Sequence, residues 1–398
     1  MPARPIRLTS APVRRLAACL AGLALAAGLL GAGCWGGAET ELRLGFIATF
    51  SGEGFRAGRD ALDAARFAVE GANAAHVPVI NGKPCPVKLF FADDKDDPDE
   101  AARAVKRLVE SDGVTIIVGP YDSGQADAAA KAAEKLGVPL VAPSSTAAVV
   151  TAGRPHIFRI AFTDSFQGMV LGQLASRELG LARVSVIANR DELSSMSLAD
   201  AFARSFAACG GRPAMFFYEG RGRDFGPLVD KALADGPQAL FLPNPSKEAV
   251  LLGLAARKAG FAGLLLGGDS WDGPEISRLS AFDGAYFIDH WRQEAPGAKS
   301  KAYVAAFAKQ RKRPPTELGA LTQDAVDVIV AAAARAGSVA PEELTRALME
   351  LPPHDGVTGS FDFIDDGNPV KSLYISHVVK GGSRLETIEA PPPEPCSP

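Results

Sequence analysis

The 398-residue chain carries 42 basic and 46 acidic side chains, 47% apolar residues and five cysteines. A net charge near −4, with no long basic block, excludes a chain built to hold nucleic acid or an anionic membrane surface. The length exceeds one ordinary core and points to two domains, and the cysteine spacings match no zinc or redox motif.

Residues ahead of Cys34 hold Arg4, Arg7, Arg14 and Arg15 and no acid, and an apolar run at 16–30 leads into L-L-G-A-G-C. A charged region, an apolar region too short to span a bilayer and small residues before a cysteine form an export signal of the bacterial lipoprotein kind. The expectation is a signal over 1–33, lipidation of Cys34 and a tether over 34–40. A soluble secreted protein cut nearby is the alternative, since Gly31 stands where the motif prefers Leu. The mature chain would keep 38 basic against 46 acidic residues, a balance of −8. Membrane attachment would then run through lipid rather than protein charge, at an extracytoplasmic location. Cys85, Cys209 and Cys396 allow at most one internal disulfide, with no pairing indicated.

Leu42–Ala48 reads as a strand, and Leu62, Ala65, Val69 and Ala72 as the apolar stripe of the next helix. Strand 87–92 precedes D-D-K-D-D-P-D-E, in which Asp97 caps a helix beginning at Pro98. That acid cluster lacks the Gly and the distal Glu of an EF-hand loop, so no metal is expected there. The runs 114–118 and 138–142 read as buried parallel strands around a helix that Gly137 closes. Each strand runs into a hydroxyl-bearing turn: Ser123 after the first, Ser144, Ser145 and Thr146 after the second. Ligands bind beyond the carboxyl ends of parallel strands, and helix N-termini favour anions, so the two turns form a candidate carboxylate cradle. Helix capping is the alternative role for Ser123 and Thr146.

An extended segment at 156–162 leads to D-S-F-Q, read as a capping box for helix 165–178. The alternation then begins afresh with strands 184–188, 214–218, 239–242 and 264–267 between helices 196–208, 225–234 and 247–259. A strand at 285–288, helices at 298–313, 318–337 and 341–351, and an antiparallel pair at 360–364 and 373–379 follow, with D-D-G-N at 365–368 as the hairpin turn. The Pro-rich end 386–398 reads as disordered. The fold class is α/β, with two doubly wound, Rossmann-like lobes.

From about Glu41 to Lys380 the chain resembles the Leu/Ile/Val-binding protein family, the type I periplasmic binding proteins of branched-chain amino-acid transporters. The carriers are F-S-G-E-G at 50–54, A-D-D-K-D-D-P-D-E-A at 92–101, V-G-P-Y-D-S at 118–123, V-A-P-S-S-T at 141–146, F-R-I-A-F-T-D-S-F-Q-G at 158–168 and G-G-D-S-W-D-G-P-E at 267–275. The resemblance implies a three-segment hinge, placed near 162–163, 287–288 and 357–359. Lobe I would then comprise 41–162 and 288–358, and lobe II 163–287 and 359–385. It implies that Ser123 and Thr146, with Ser144 and Ser145 alongside, take the ligand carboxylate, and that Asp269 takes its ammonium. Asp269 has no evident structural task, whereas Asp272 and Glu275 can form a capping box. The aromatic rings that leucine-binding members place near Ser194 and near P-N-P-S at 243–246 are missing here, so Trp271, Tyr121 and Phe166 are the candidate lining. The expected role is a substrate-binding lipoprotein of an ABC transporter, with a permease as partner, no cofactor and no metal.

An enzyme is the contrasting reading. G-D-S at 268–270 is similar to the Gly-Asp-Ser esterases only superficially, because it comes late and no Asp-x-x-His follows. No G-x-S-x-G, H-E-x-x-H or phosphate-binding loop exists, and the five histidines are scattered. A ligand-binding sensor signalling to a membrane receptor is a further alternative that keeps the fold.

Overall fold

The computed structural model describes residues 40–220, 224–271, 273–364, 366–390 and 396. The expected signal, Cys34, the tether up to residue 39, and Asp272 lie outside the described residues. Five strands form the first sheet: β1 (Leu42–Ala48), β2 (Val87–Asp93), β3 (Ile116–Val118), β4 (Leu140–Ala142) and β5 (Ile157–Arg159). Their order is β2-β1-β3-β4-β5, all parallel, which is a doubly wound half with its switch between β1 and β3. The strands are apolar because both faces are covered. On one face lies α1 (Phe55–Ala74), on the other α2 (Pro98–Glu110) and α3 (Ser123–Leu136). Asp97 caps α2 as expected, its Oδ1 accepting the Glu100 N–H at 2.9 Å, and Gly137 closes α3 in the left-handed region.

The second sheet repeats this order. Strands β6 (Arg183–Asn189), β7 (Arg212–Tyr218), β8 (Ala239–Leu242), β9 (Leu264–Gly267) and β10 (Tyr286–Asp289) run β7-β6-β8-β9-β10 in parallel. Helices α4 (Asp164–Gln173), α5 (Leu193–Ala208), α6 (Gly226–Leu233) and α7 (Ser246–Lys258) cover its faces. The chain then returns to the first lobe. Helices α8 (Ala298–Arg311), α9 (Glu317–Ala336) and α10 (Pro341–Met349) follow, and Leu321, Ala325, Ile329 and Ala332 of α9 pack against the α1 stripe.

The end of the chain departs from the sequence reading. Residues 360–364 do not pair with 373–379. Instead β11 (His354–Gly356), β12 (Gly359–Phe363) and β13 (Pro369–Lys371) form a separate small sheet, with Phe361 opposite Lys371. Phe361 and Phe363 join the first-lobe core, so this sheet belongs to lobe I. The segment 373–379 is β14 (Leu373–Val379), antiparallel to β10, and β15 (Gly382–Glu389) pairs with it. The third crossing therefore lies at 371–373 and not at 357–359, and residues 359–371 move from lobe II to lobe I. The second crossing follows Asp289, because all four β10 residues pair within the second sheet. A three-residue strand that opens on Pro369 leaves too little pattern to detect.

The expected disordered tail is also corrected in part. Residues 386–389 complete β15, and Cys396 forms a disulfide with Cys209 at the end of α5. Among the described residues Cys85 is the free thiol, and it is buried.

Candidate functional site

The turns after β3 and β4 meet through Ser123. This residue opens α3, and its Oγ accepts the N–H groups of Thr146 at 3.2 Å and Ala147 at 3.3 Å. With both acceptor directions used, its own O–H proton is left to donate to an anion. Neither Ser123 nor Thr146 is a helix cap: Asp122 precedes α3 at the cap position, and Ala147 precedes the short helical turn that follows. The Thr146 and Ala147 N–H groups are spent on Ser123, so hydroxyls rather than turn amides would dominate the grip. Ser144 Oγ donates to the Tyr121 carbonyl at 3.2 Å, and Ser145 is buried with its Oγ unpaired. The turn after β3 needs Gly119, which has φ +93°, because a Cβ there would lie 2.1 Å from the Ile47 carbonyl oxygen.

A residue that sequence reading spent on capping joins these turns to the second lobe. Thr163 is the actual cap of α4, its side chain accepting the Phe166 N–H, which corrects the proposed Asp164 capping box and frees Asp164 for the interior. The Asp164 N–H donates to the Thr146 carbonyl at 2.9 Å. Gln167 Nε2, one turn on, donates to Asp164 Oδ1 at 2.9 Å and to Asp269 Oδ1 at 2.9 Å. Asp269 follows β9, and its Oδ2 lies 3.2 Å from His290 Nε2. The His290 ring stacks on Phe162 at 3.8 Å, so residues of two hinge crossings touch beside Asp269. Asp269 thus has structural partners that its sequence neighbours did not reveal, while 18% of its side chain stays exposed.

The electrostatics separate the two carboxyl groups. Burial, then the nearby charge of Asp269, pushes Asp164 up to about 7, against hydrogen bonding from Ser197, Thr146 and Gln167. Burial pushes Asp269 up as well, but His290 and Gln167 outweigh it and hold it below the usual carboxylate range. Burial lowers His290, which keeps the ring neutral and the Asp269 charge uncancelled. The site therefore pairs an anionic carboxyl with one that ionises near neutral pH, with hydroxyl donors opposite.

The three candidate lining rings part company. Tyr121 lies beside the first-lobe turn, its hydroxyl donating to the Gly54 carbonyl at 3.2 Å. Phe166 meets Phe162 edge-on at 6.1 Å near the hinge. Trp271 does not line a crevice: it is fully buried in the second-lobe core against Phe282 and Phe287, over Gly267. The carboxyl ends of β6, β7 and β8 instead carry a polar group. Asn244 Nδ2 donates to the Tyr218 hydroxyl at 2.9 Å, Asn189 Nδ2 to Glu248 at 3.3 Å, and the Tyr218 hydroxyl itself to Glu248. Its members are far apart in sequence, so no local signal marked them. Glu53 and Lys247 form an ion pair between the lobes at 3.3 Å. Asp324, Asp327 and His354 lie close enough to hold a cation, but Asp324 accepts from Val357, Thr358 and the Thr358 hydroxyl, and Asp327 pairs with Lys299.

Two doubly wound lobes with three crossings, and polar groups gathered at the strand ends beside the hinge, define a two-lobed binding protein. The chain belongs to the periplasmic binding protein family, whose model matches residues 41–383. It has the type I periplasmic binding protein fold. The leucine-binding protein of Thermotoga maritima superposes with a TM-score of 0.82 at 28% identity, covering 88% of this chain and 99% of that one. A branched-chain amino-acid transporter substrate-binding protein of Streptococcus pneumoniae, solved with isoleucine, gives 0.79 at 28% identity, covering 89% and 100%. The leucine-, isoleucine-, valine-, threonine- and alanine-binding protein of Pseudomonas aeruginosa is 27% identical over 285 residues, 69% of this chain and 74% of that protein. These relatives are solute-binding proteins, not enzymes.

Proposed function

We propose that this chain is the extracytoplasmic substrate-binding subunit of an ABC transporter, closing on a small amino acid or a related carboxylate or amide. The carrying observation is the linkage of the Ser123–Thr146 turns to Asp269 through Asp164 and Gln167. Ser123 and Thr146 receive the ligand carboxylate, with Ser145 alongside and Ser144 joining once its hydroxyl turns from the Tyr121 carbonyl, and Asp269 receives its ammonium. Desolvating those two ions costs several kcal/mol each unless both ends are matched, a condition met only when the lobes come together. Ligand binding therefore selects the closed state, which a permease can recognise. Cys34 carries the lipid that holds the protein at a membrane. Tyr121 and Phe166 remain candidate lining.

Mass spectrometry of ligand that co-purifies with the protein tests this reading. A small α-amino acid or its close derivative is expected. A sugar, or a molecule with neither carboxylate nor amide, would refute it.

A further inference from the structure

Arg159 ends β5 and is fully buried. Its Nη1 donates to the Ser145 carbonyl at 2.9 Å, and its Nη2 to the Ala147 carbonyl at 2.9 Å and Thr151 Oγ1 at 3.1 Å. The two carbonyls bracket Thr146. Because each peptide unit is planar and trans, a carbonyl turned toward Arg159 sends the next residue's N–H the opposite way. The Thr146 N–H accordingly meets Ser123 Oγ. The guanidinium thus lies behind the turn whose other side carries the hydroxyls of the site.

This charge lacks a close counterion. Among the described residues no carboxylate reaches ion-pair distance of Arg159, and its Nε is buried without a hydrogen-bond partner. Asp164 and Asp366 act on it only from farther off. Burial lowers the guanidinium to about 10, so it stays charged at neutral pH. A buried cation held only by neutral acceptors, two carbonyls and a hydroxyl, is electrostatically unfinished. An anion on the far side of the turn would complete it.

We propose that Arg159 is a positioning and specificity residue of this turn, its charge making the site select an anionic carboxylate over a neutral amide. The assignment rests on the turn being where the ligand's carboxyl end sits, and it decides between the carboxylate and amide classes left open above.

Calorimetry of wild type, Arg159→Gln and Arg159→Lys with L-leucine and L-leucinamide, and with L-threonine and L-threoninamide, tests it. Gln keeps N–H donors for the two carbonyls without the charge, while Lys keeps the charge without the fork. The expected wild-type preference for acid over amide falls about tenfold or more in Arg159→Gln and stays within about threefold in Arg159→Lys. An unchanged preference in Arg159→Gln, or its loss in Arg159→Lys alone, would make Arg159 a brace and overturn the assignment. Should circular dichroism show Arg159→Gln unfolded, Arg159→Lys decides: a kept preference supports the charge role and a lost one removes it. If wild type binds neither acid and the co-purified ligand has no carboxylate, the reading of the turn fails, and this assignment with it.

Discussion

Replacing Asp269 by Asn is the sharpest perturbation of the ammonium end. The amide nearly matches the carboxylate in shape and can still accept from Gln167, which now donates to Asp269 Oδ1 at 2.9 Å. What it loses is the charge. With Oδ1 on Gln167 the amide also turns Nδ2 outward, which cannot accept from an ammonium, so the whole charged hydrogen bond, about 1.5–3 kcal/mol, is lost. Asp269 is part-exposed, so the lower half of the range applies after solvent screening, and a loss near 2 kcal/mol is expected. That is about a 30-fold weaker Kd, since 1.4 kcal/mol is tenfold. Isothermal titration of both proteins with the co-purified ligand, beside its des-amino analogue, measures it. The amino ligand should weaken about 30-fold while the analogue changes little. Losses within threefold for the amino ligand would refute the ammonium role.

Asp164 gives a pH signature. Its folded pKa of about 7 exceeds the unfolded value near 4, so the folded state holds the extra proton between them. Its contribution is therefore full below about pH 4 and is lost as pH rises toward 7. Denaturant titrations of Asp164→Asn at pH 5 and pH 8 should show a flatter dependence than wild type, and parallel profiles would contradict the shift. Trp271→Ala should destabilise by about 3–5 kcal/mol, as for a large ring removed from a core. Its melting transition would fall sharply, whereas a ligand-lining role would leave stability intact and affect affinity alone. A chain beginning at Glu41 should titrate one thiol after unfolding without reductant, from Cys85, and three after reduction. Cys396→Ser should cost about 2–4 kcal/mol, read by thermal melting, and no change would argue against the closure.

Much of the lobe architecture was legible because it rests on local pattern. The branched apolar runs at 114–118 and 138–142 read as strands covered on both faces, and Asp97-Pro98 and Gly137 mark helix ends by their own backbone chemistry. The positions of Ser123, Thr146 and Asp269 just after strand ends were legible from the motif order. What stayed hidden depends on non-local geometry. Asp164 looked like a cap because Thr163, one residue earlier, carries an equally good capping hydroxyl. His290 reaches Asp269 from another hinge crossing, and Arg159 reaches Ser145 from a neighbouring strand. Trp271 follows Asp269 by two residues, yet the turn after β9 sends it into the core rather than beside Asp269. The third crossing was misplaced because β13 is three residues long and separated from β14 by Ser372 alone.

A crystal structure of the protein with its co-purified ligand measures the central claim directly. The ligand's carboxylate should lie within hydrogen-bond distance of Ser123 Oγ and Thr146 Oγ1, and its amine within the same distance of Asp269. A ligand seated elsewhere, or one whose amine faces away from Asp269, would contradict the account.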